Sequence, residues 1–252
     1  MLIFIFGLII GSFLNVCIYR MPREKSVVKP RSYCPACKAP IAWYDNIPVL
    51  SYILLGGKCR HCKKLISLRY IIVEILTAVV LVLAFIRWGF SIEFVAYSVL
   101  FCGLIVATFV DFKFQIIPDE VSYTGMILGI AASIFFPLLH GASVWYMGLF
   151  KSIAGLLAGG ASIYLTGVVG KLIFKKDAMG GGDVKLMAMI GAFLGPAFAI
   201  LVFFIAPFFG SVVGIIMKIK YKAEIIPYGP YLSLAAVVVA FLGKDILRYL
   251  FY

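Results

Sequence analysis

Apolar residues in this chain fall in long runs, with polar residues gathered between them. The runs extend from about Met1 to Tyr19, Tyr70 to Trp88, Ile92 to Val110, Val121 to Leu139, Leu149 to Phe174, Asp183 to Gly195, Pro196 to Lys218 and Tyr231 to Leu250. A helix of about 20 apolar residues matches the hydrocarbon thickness of a bilayer. The pattern therefore predicts an all-α polytopic membrane protein with about eight transmembrane helices. No stretch reads as a strand domain. The run opening at Asp183 is short, roughly 18 Å of helix against a core of about 30 Å. If Gly195-Pro196 reaches the outer interface, Asp183 sits below the inner surface.

Composition agrees. The 252 residues are 63% hydrophobic and 13% charged, whereas soluble domains are roughly half apolar. The first run lacks a basic flank before it and a small-residue cleavage site, so it is expected to be a span and not a secretory signal peptide. The net charge is +12, from 23 Lys+Arg against 11 Asp+Glu. Such an excess marks cytoplasmic loops, and no nucleic-acid partner is expected. The basic clusters lie at 20–69, 171–185 and 218–222, the last two including Lys171, Lys175, Lys176 and Lys218, Lys220, Lys222. The connections near Trp88, His140 and Pro196 carry few cations. Eight spans from an outside N-terminus place every basic cluster in the cytoplasm. Asp111, closing one span, and Asp183, opening another, then share the cytoplasmic side.

The sizeable soluble piece, Arg20 to Arg69, holds Cys34-x-x-Cys37 and Cys59-x-x-Cys62. Each pair continues Lys-x-x-Ile, so the two arms repeat each other as Cys34…Ile41 and Cys59…Ile66. Two such knuckles suit one tetrahedral Zn²⁺, and a reduced cytoplasmic loop favours zinc over disulfides. Metal binding would supply much of the folding energy of so small a loop. His61 would be a fifth ligand and is read as solvated. Cys17 and Cys102 lie in apolar runs and read as packing residues. Trp43-Tyr44-Asp45-Asn46-Ile47-Pro48, between the pairs, could dock the loop on the membrane surface or line a groove. Gly11, Ser12 and Asn15 in the first run read as close helix packing and interhelical hydrogen bonding. Glu74 is either a satisfied interface residue or faces the loop.

Met179-Gly180-Gly181-Gly182-Asp183-Val184-Lys185 is the stretch with the most chemical promise. An ionisable group at the mouth of an apolar segment is a functional candidate by default. The plain alternative is a turn followed by an Asp N-cap. Asp183 beside Asp111 would make a pair sharing one proton, the arrangement of aspartic proteases. The glycines would let a peptide lie extended against the backbone.

Taken together, these stretches resemble the bacterial type IV prepilin peptidases, the prepilin leader peptidases/N-methyltransferases. The matching residues are Gly11 to Arg20, the four cysteines with Trp43 to Pro48 between them, Arg69-Tyr70 to Glu74, Asp111 to Asp119, and Gly180-x-Gly182-Asp183-x-Lys185. The resemblance implies removal of the short basic leader of type IV prepilins and pseudopilins at the cytoplasmic face of the bacterial inner membrane. It implies N-methylation of the new N-terminal residue, often Phe, with S-adenosylmethionine. It puts the catalytic aspartates at Asp111 and Asp183, with Asp119 in the same motif but outside the pair. The Gly-Lys linked with methyl transfer falls on Gly57 and Lys58. The implied organisation is a first transmembrane helix at 1–19, a zinc-binding and methyl-transfer loop at 20–69, and a peptidase core at 70–252. Membrane lipid and prepilin-like proteins are the expected partners. A carboxylate-lined transporter and a zinc-ribbon adaptor are the competing classes.

Overall fold

A computed structural model describes residues 1–175, 179–221 and 227–251. Lys176 and Lys222, named in two of the basic clusters, lie outside the described residues. The helices are α1 Leu2–Arg20, α2 Leu50–Leu54, α3 Arg69–Trp88, α4 Ile92–Phe114, α5 Asp119–Phe135, α6 Trp145–Phe174, α7 Gly181–Leu194, α8 Pro196–Tyr221 and α9 Gly229–Phe251. No strand occurs among the described residues; two isolated bridges do. Each of the eight apolar runs lies on a helix. Five of them, α1, α3, α4, α6 and α9, are long and apolar enough to cross a membrane. α5 and α7 are shorter, as is Pro196–Val212, the part of α8 whose side chains are described, so five spans and not the expected eight are established. The fourth run ends early, at Phe135, because Pro137 removes an amide the helix needs and a 3₁₀ turn, Pro137–His140, follows.

The chain divides into two compact units, Met1–Phe90 and Ser91–Tyr252. In the first, α1 and α3 run antiparallel in a seam of small residues. A Cβ on Gly7 would meet the Cα of Ala78, and one on Gly11 the Cα of Glu74 at 2.6 Å. One turn further, Asn15 Nδ2 donates to the Tyr70 carbonyl at 2.9 Å. This is the close approach that drives helix association where no hydrophobic effect operates.

In the second unit α7 is the enclosed element. Leu186 to Leu194 are all buried. Its neighbours are α4, α5, α6, α8 and α9. Gly155 and Gly191 face each other so closely that a Cβ on either would strike the other's carbonyl oxygen; Gly159 meets the Met187 carbonyl one turn on. Gly125 packs on Met189 and Gly129 on Phe193, which sets α5 parallel to α7. Both helices therefore begin at the same end of the unit, where α4 finishes.

Candidate active site and metal centre

That shared end is where the second unit gathers its carboxylates. Asp111 lies in the last turn of α4, and the chain then reverses at Gln115 in the left-handed conformation. Pro118 caps α5, with Asp119 and Glu120 in its first turn. A cavity of about 300 Å³ is lined by Asp111, Gln115, Ile116, Ile117, Asp119, Gly180, Gly181, Gly182, Asp183 and Lys185. Asp111 and Asp183 thus line one space, and Asp183 feels the charge of Asp111. Asp111 is 5% exposed. Its Oδ2 accepts the Gly229 amide of α9 at 3.0 Å. A Cβ at Gly229 would lie 2.8 Å from that oxygen, so only glycine lets the α9 terminus come so near. Tyr228, in the turn before α9, is half-buried; burial and the Asp183 carboxylate push its hydroxyl up to about 12.

The glycine turn differs from expectation. α7 starts at Gly181, with Gly180 as N-cap and no side-chain capping bond. Asp183 is the third helical residue, so the N-cap alternative does not describe it. Gly181 and Gly182 belong to the helix, which therefore opens two residues before Asp183. Gly182 is small because Ile117 Cβ would lie 3.1 Å from an added Cβ, whereas an added Cβ at Gly181 meets nothing within 4 Å. Gly181, with its open face, lines the cavity. At its rim Lys185 Nζ donates to Asp119 Oδ1 at 2.7 Å and lies over the Tyr123 ring. Asp119 is exposed and tied to this lysine, unlike buried Asp111 and half-buried Asp183.

In the first unit the two cysteine arms fold alike. Cys34 N–H donates to Ala39, Lys38 to Cys34 and Ile41 to Ser32; Cys59 N–H donates to Lys64, Lys63 to Cys59 and Ile66 to Gly57. Lys38 and Lys63 both take positive φ. Gly57 and Lys58 correspond to Ser32 and Tyr33 in this repeat. The four sulfurs lie within 4.8 Å of one another, and Cys34 and Cys62 Sγ are 3.9 Å apart. Zn–S bonds of about 2.3 Å in a tetrahedron place sulfurs roughly 3.8 Å apart. The donor set could hold a metal such as zinc. Backbone amides of Cys37 and Ala36 draw the Cys34 thiol down to about 7, and those of Cys62 and His61 lower Cys59. All six cysteines are free thiols, and His61 is exposed and outside the cluster.

Gly57 is buried against the Tyr52 ring, with its amide on the Tyr52 carbonyl and its own carbonyl on Ile66; the Lys58 side chain is exposed. Arg60 grips Asp45 through two bonds of 2.7 and 2.6 Å and lies over Tyr44, while Trp43 stays exposed. Glu74 faces the loop: its Oε2 accepts the Val49 amide at 2.8 Å.

Sequence reasoning passed over Gly229, Tyr228 and Ile117. The first two sit far along the chain from Asp111 and carry no spacing signal; the turn residues Pro227-Tyr228-Gly229-Pro230 are the one local feature that marks them.

An all-α membrane protein with two carboxylates on one cavity, one buried and one half-buried, and a separate four-thiol centre is a narrow class. The family Bacterial Peptidase A24 N-terminal domain matches residues 5–88, and the Type IV leader peptidase family matches residues 98–215. The chain is 40% identical over 216 residues to the prepilin leader peptidase/N-methyltransferase of Myxococcus xanthus, covering 85% of this chain and 62% of that protein. It is 34% identical over 259 residues to the protein of that name in Neisseria gonorrhoeae, covering 93% and 87%. It is 33% identical over 274 residues to the one in Pseudomonas aeruginosa, covering 96% and 90%. The chain therefore spans less than two thirds of the Myxococcus relative and most of the other two. No solved structure matches it. The chain belongs to the type IV leader peptidase family.

Proposed function

We propose that this chain is a membrane aspartic endopeptidase that removes the leader of type IV prepilins or pseudopilins and then N-methylates the new N-terminus. The observation that carries the reading is the meeting of Asp111 and Asp183 on one cavity. Two carboxylates at close range share a proton. One takes a proton from water as it attacks the scissile carbonyl, and the other gives a proton to the carbonyl oxygen. Collapse of the tetrahedral species returns a proton to the leaving amine. The Gly229 amide orients Asp111, and the open face of Gly181 lets a substrate backbone approach Asp183. A transporter is the weaker reading, because these groups sit at helix ends and not along a path through the helices.

The 20–69 loop is the methyl-transfer region in this proposal. Zn²⁺ on Cys34, Cys37, Cys59 and Cys62 shapes it, and Gly57 and Lys58 hold the donor, S-adenosylmethionine. Residues 70–252 form the peptidase core, behind a first span at 1–19. The protein is multi-pass in the bacterial inner membrane, with its N-terminus outside. Labelling of cysteines placed at Ser32 and Ser143 tests the orientation: opposite sides are expected, and one side for both overturns it.

The deciding experiment is Asp→Asn at Asp111, Asp183 and Asp119, with prepilin cleavage followed by mass spectrometry. Asp111→Asn and Asp183→Asn should each abolish cleavage while leaving the protein folded; Asp119→Asn should retain it. Normal cleavage by Asp183→Asn would end the aspartic reading. A dead Asp119→Asn beside an active Asp111→Asn would reassign the pair.

A further inference from the structure

The first unit contains a buried polar cluster that neither the metal nor the peptidase chemistry uses. Glu74 is 7% exposed and Asn15 2% exposed, both on the α1–α3 seam. Glu74 accepts the Val49 amide and also interacts with Ser12, one turn of α1 from Asn15. Asn15 Nδ2 donates to both the Gly11 and Tyr70 carbonyls. Those two acceptors fix the orientation of the amide, because turning it over would aim an oxygen at carbonyl oxygens. Asn15 Oδ1 is left buried with no donor. A buried acceptor without a partner requires an explanation.

Above Glu74 the chain is strained. Val49 has φ 59° and ψ −51°, and the Leu50 amide bonds the Pro48 carbonyl across it at 2.5 Å. This is the positive-φ γ-turn, rare and costly, and more so for a β-branched residue. Such strain collects where a site is held in readiness. The turn runs directly into the five residues of α2, and α2 leads to Gly56, Gly57 and Lys58. The short helix therefore couples Glu74 at one end to the glycine-lysine turn at the other, over roughly 8 Å of axis.

A carboxylate and an orphaned carbonyl oxygen offer acceptors to a ligand rich in donors. Rows one helical turn apart lie on the order of 5–6 Å from each other. Two N–H···O bonds of about 2.8–2.9 Å to one nitrogen bridge that span. We propose that Glu74 and Asn15, with the Val49 turn as their cover, bind the N-terminal amine released by cleavage and that Glu74 is its general base for methyl transfer. This rests on the peptidase/N-methyltransferase reading above. The Glu74 carboxylate takes one proton from the ammonium. The freed lone pair of nitrogen forms the N–C bond to the sulfonium methyl carbon. The C–S bond breaks with its electron pair going to sulfur, which leaves a neutral thioether and a secondary ammonium. Asn15 Oδ1 accepts a remaining N–H and holds the lone pair in line. Without removal of that proton the nitrogen has no pair to offer.

Glu74→Gln separates this role from a purely structural one, since the Gln carbonyl still accepts the Val49 amide. The full-length protein in detergent is given a prepilin-type peptide and S-adenosylmethionine, and products are weighed by mass spectrometry. Glu74→Gln should keep its zinc and cleave within about twofold of wild type, while methyl transfer falls by roughly 100-fold or more. A binding measurement without methyl donor completes the test. Wild type should prefer a mature-type peptide with a free N-terminal amine over its acetylated form, and Glu74→Gln should lose the preference. Normal methylation by Glu74→Gln overturns the proposal. Loss of zinc and cleavage together with methylation also overturns it, by showing an anchor only. A wild type that neither cleaves nor methylates would instead sink the underlying reading.

Discussion

The α1–α3 and α6–α7 seams are built alike and used differently. Each is antiparallel, each brings glycine against facing backbone at successive turns, and each carries a carboxylate toward its polar end, Glu74 in one and Asp183 in the other. α7 is enclosed by its neighbours, and nothing from Leu186 to Leu194 can shift without displacing other helices. The α1–α3 pair stands alone in its unit, with Ile5, Phe6, Ile9, Phe13, Ile72, Val79 and Ile86 exposed. Packing fixes Asp183. The Val49 amide, from the loop that also carries the four thiols, holds the Glu74 carboxylate. The same helix-packing device thus carries one carboxylate at the mouth of an enclosed helix and the other beneath a loop.

The comparison breaks most completely at Gly191. Gly191→Leu should leave little folded protein and no cleavage, because the new side chain meets the Gly155 carbonyl; overpacking against side chains alone costs about 1–3 kcal/mol. Detergent-extracted yield and thermal unfolding measure it, and a folded, active Gly191→Leu would show the seam to be loose. Metal removal is the next effect in size. A strong chelator, or Cys37→Ser, should unravel the 20–69 loop and abolish methyl transfer while cleavage survives at a large fraction of wild type. Equal loss of both would mean that the loop also serves the peptidase. Lys58→Ala sharpens the same contrast on a smaller scale: methylation should weaken about tenfold, the order of one charge-assisted contact, with cleavage and zinc content unchanged.

The smallest effect lies at the other end of the second unit. His140 is held by Ser133 Oγ at 2.8 Å, its carbonyl accepts Lys151, and the Ala192 backbone also faces the ring. Burial and the Lys151 ammonium push it down to about 4 from 6.5. Between those values the unfolded chain binds a proton that the folded one refuses, so stability declines as pH falls from 6.5 toward 4. The thermal midpoint should drop across that window in wild type and less so in His140→Gln.

Most of the fold was legible because apolar runs bounded by charges leave a chain few options. The boundaries were less so. α7 begins at Gly181 and not Asp183, although two poor helix formers open it; Gly182 packs on Ile117, a tertiary contact that propensity does not register. The cysteine arms were legible from their repeat. The juxtaposition of Asp111 with Asp183 was inferred from topology and a resemblance, but the Gly229 amide on Asp111 could not be, since the two lie 118 residues apart. Asn15 was read as an interhelical hydrogen bonder, and it is one; its unused oxygen is a matter of orientation that no spacing encodes.

The 14 residues of α7 have a geometric consequence. They make a rod of roughly 21 Å, about 9 Å less than the hydrocarbon thickness. Enclosed on its sides, the rod cannot lengthen, and any tilt shortens it further. On the proposed topology Asp183, near its start, stands at a set depth measured from the far end, like the stop on a drill. A substrate helix embedded in the same bilayer brings to that depth whichever peptide bond its own apolar length dictates. On the proposed reading the bond to be cut is gauged by distance, and sequences of quite different side chains are cleaved at one place.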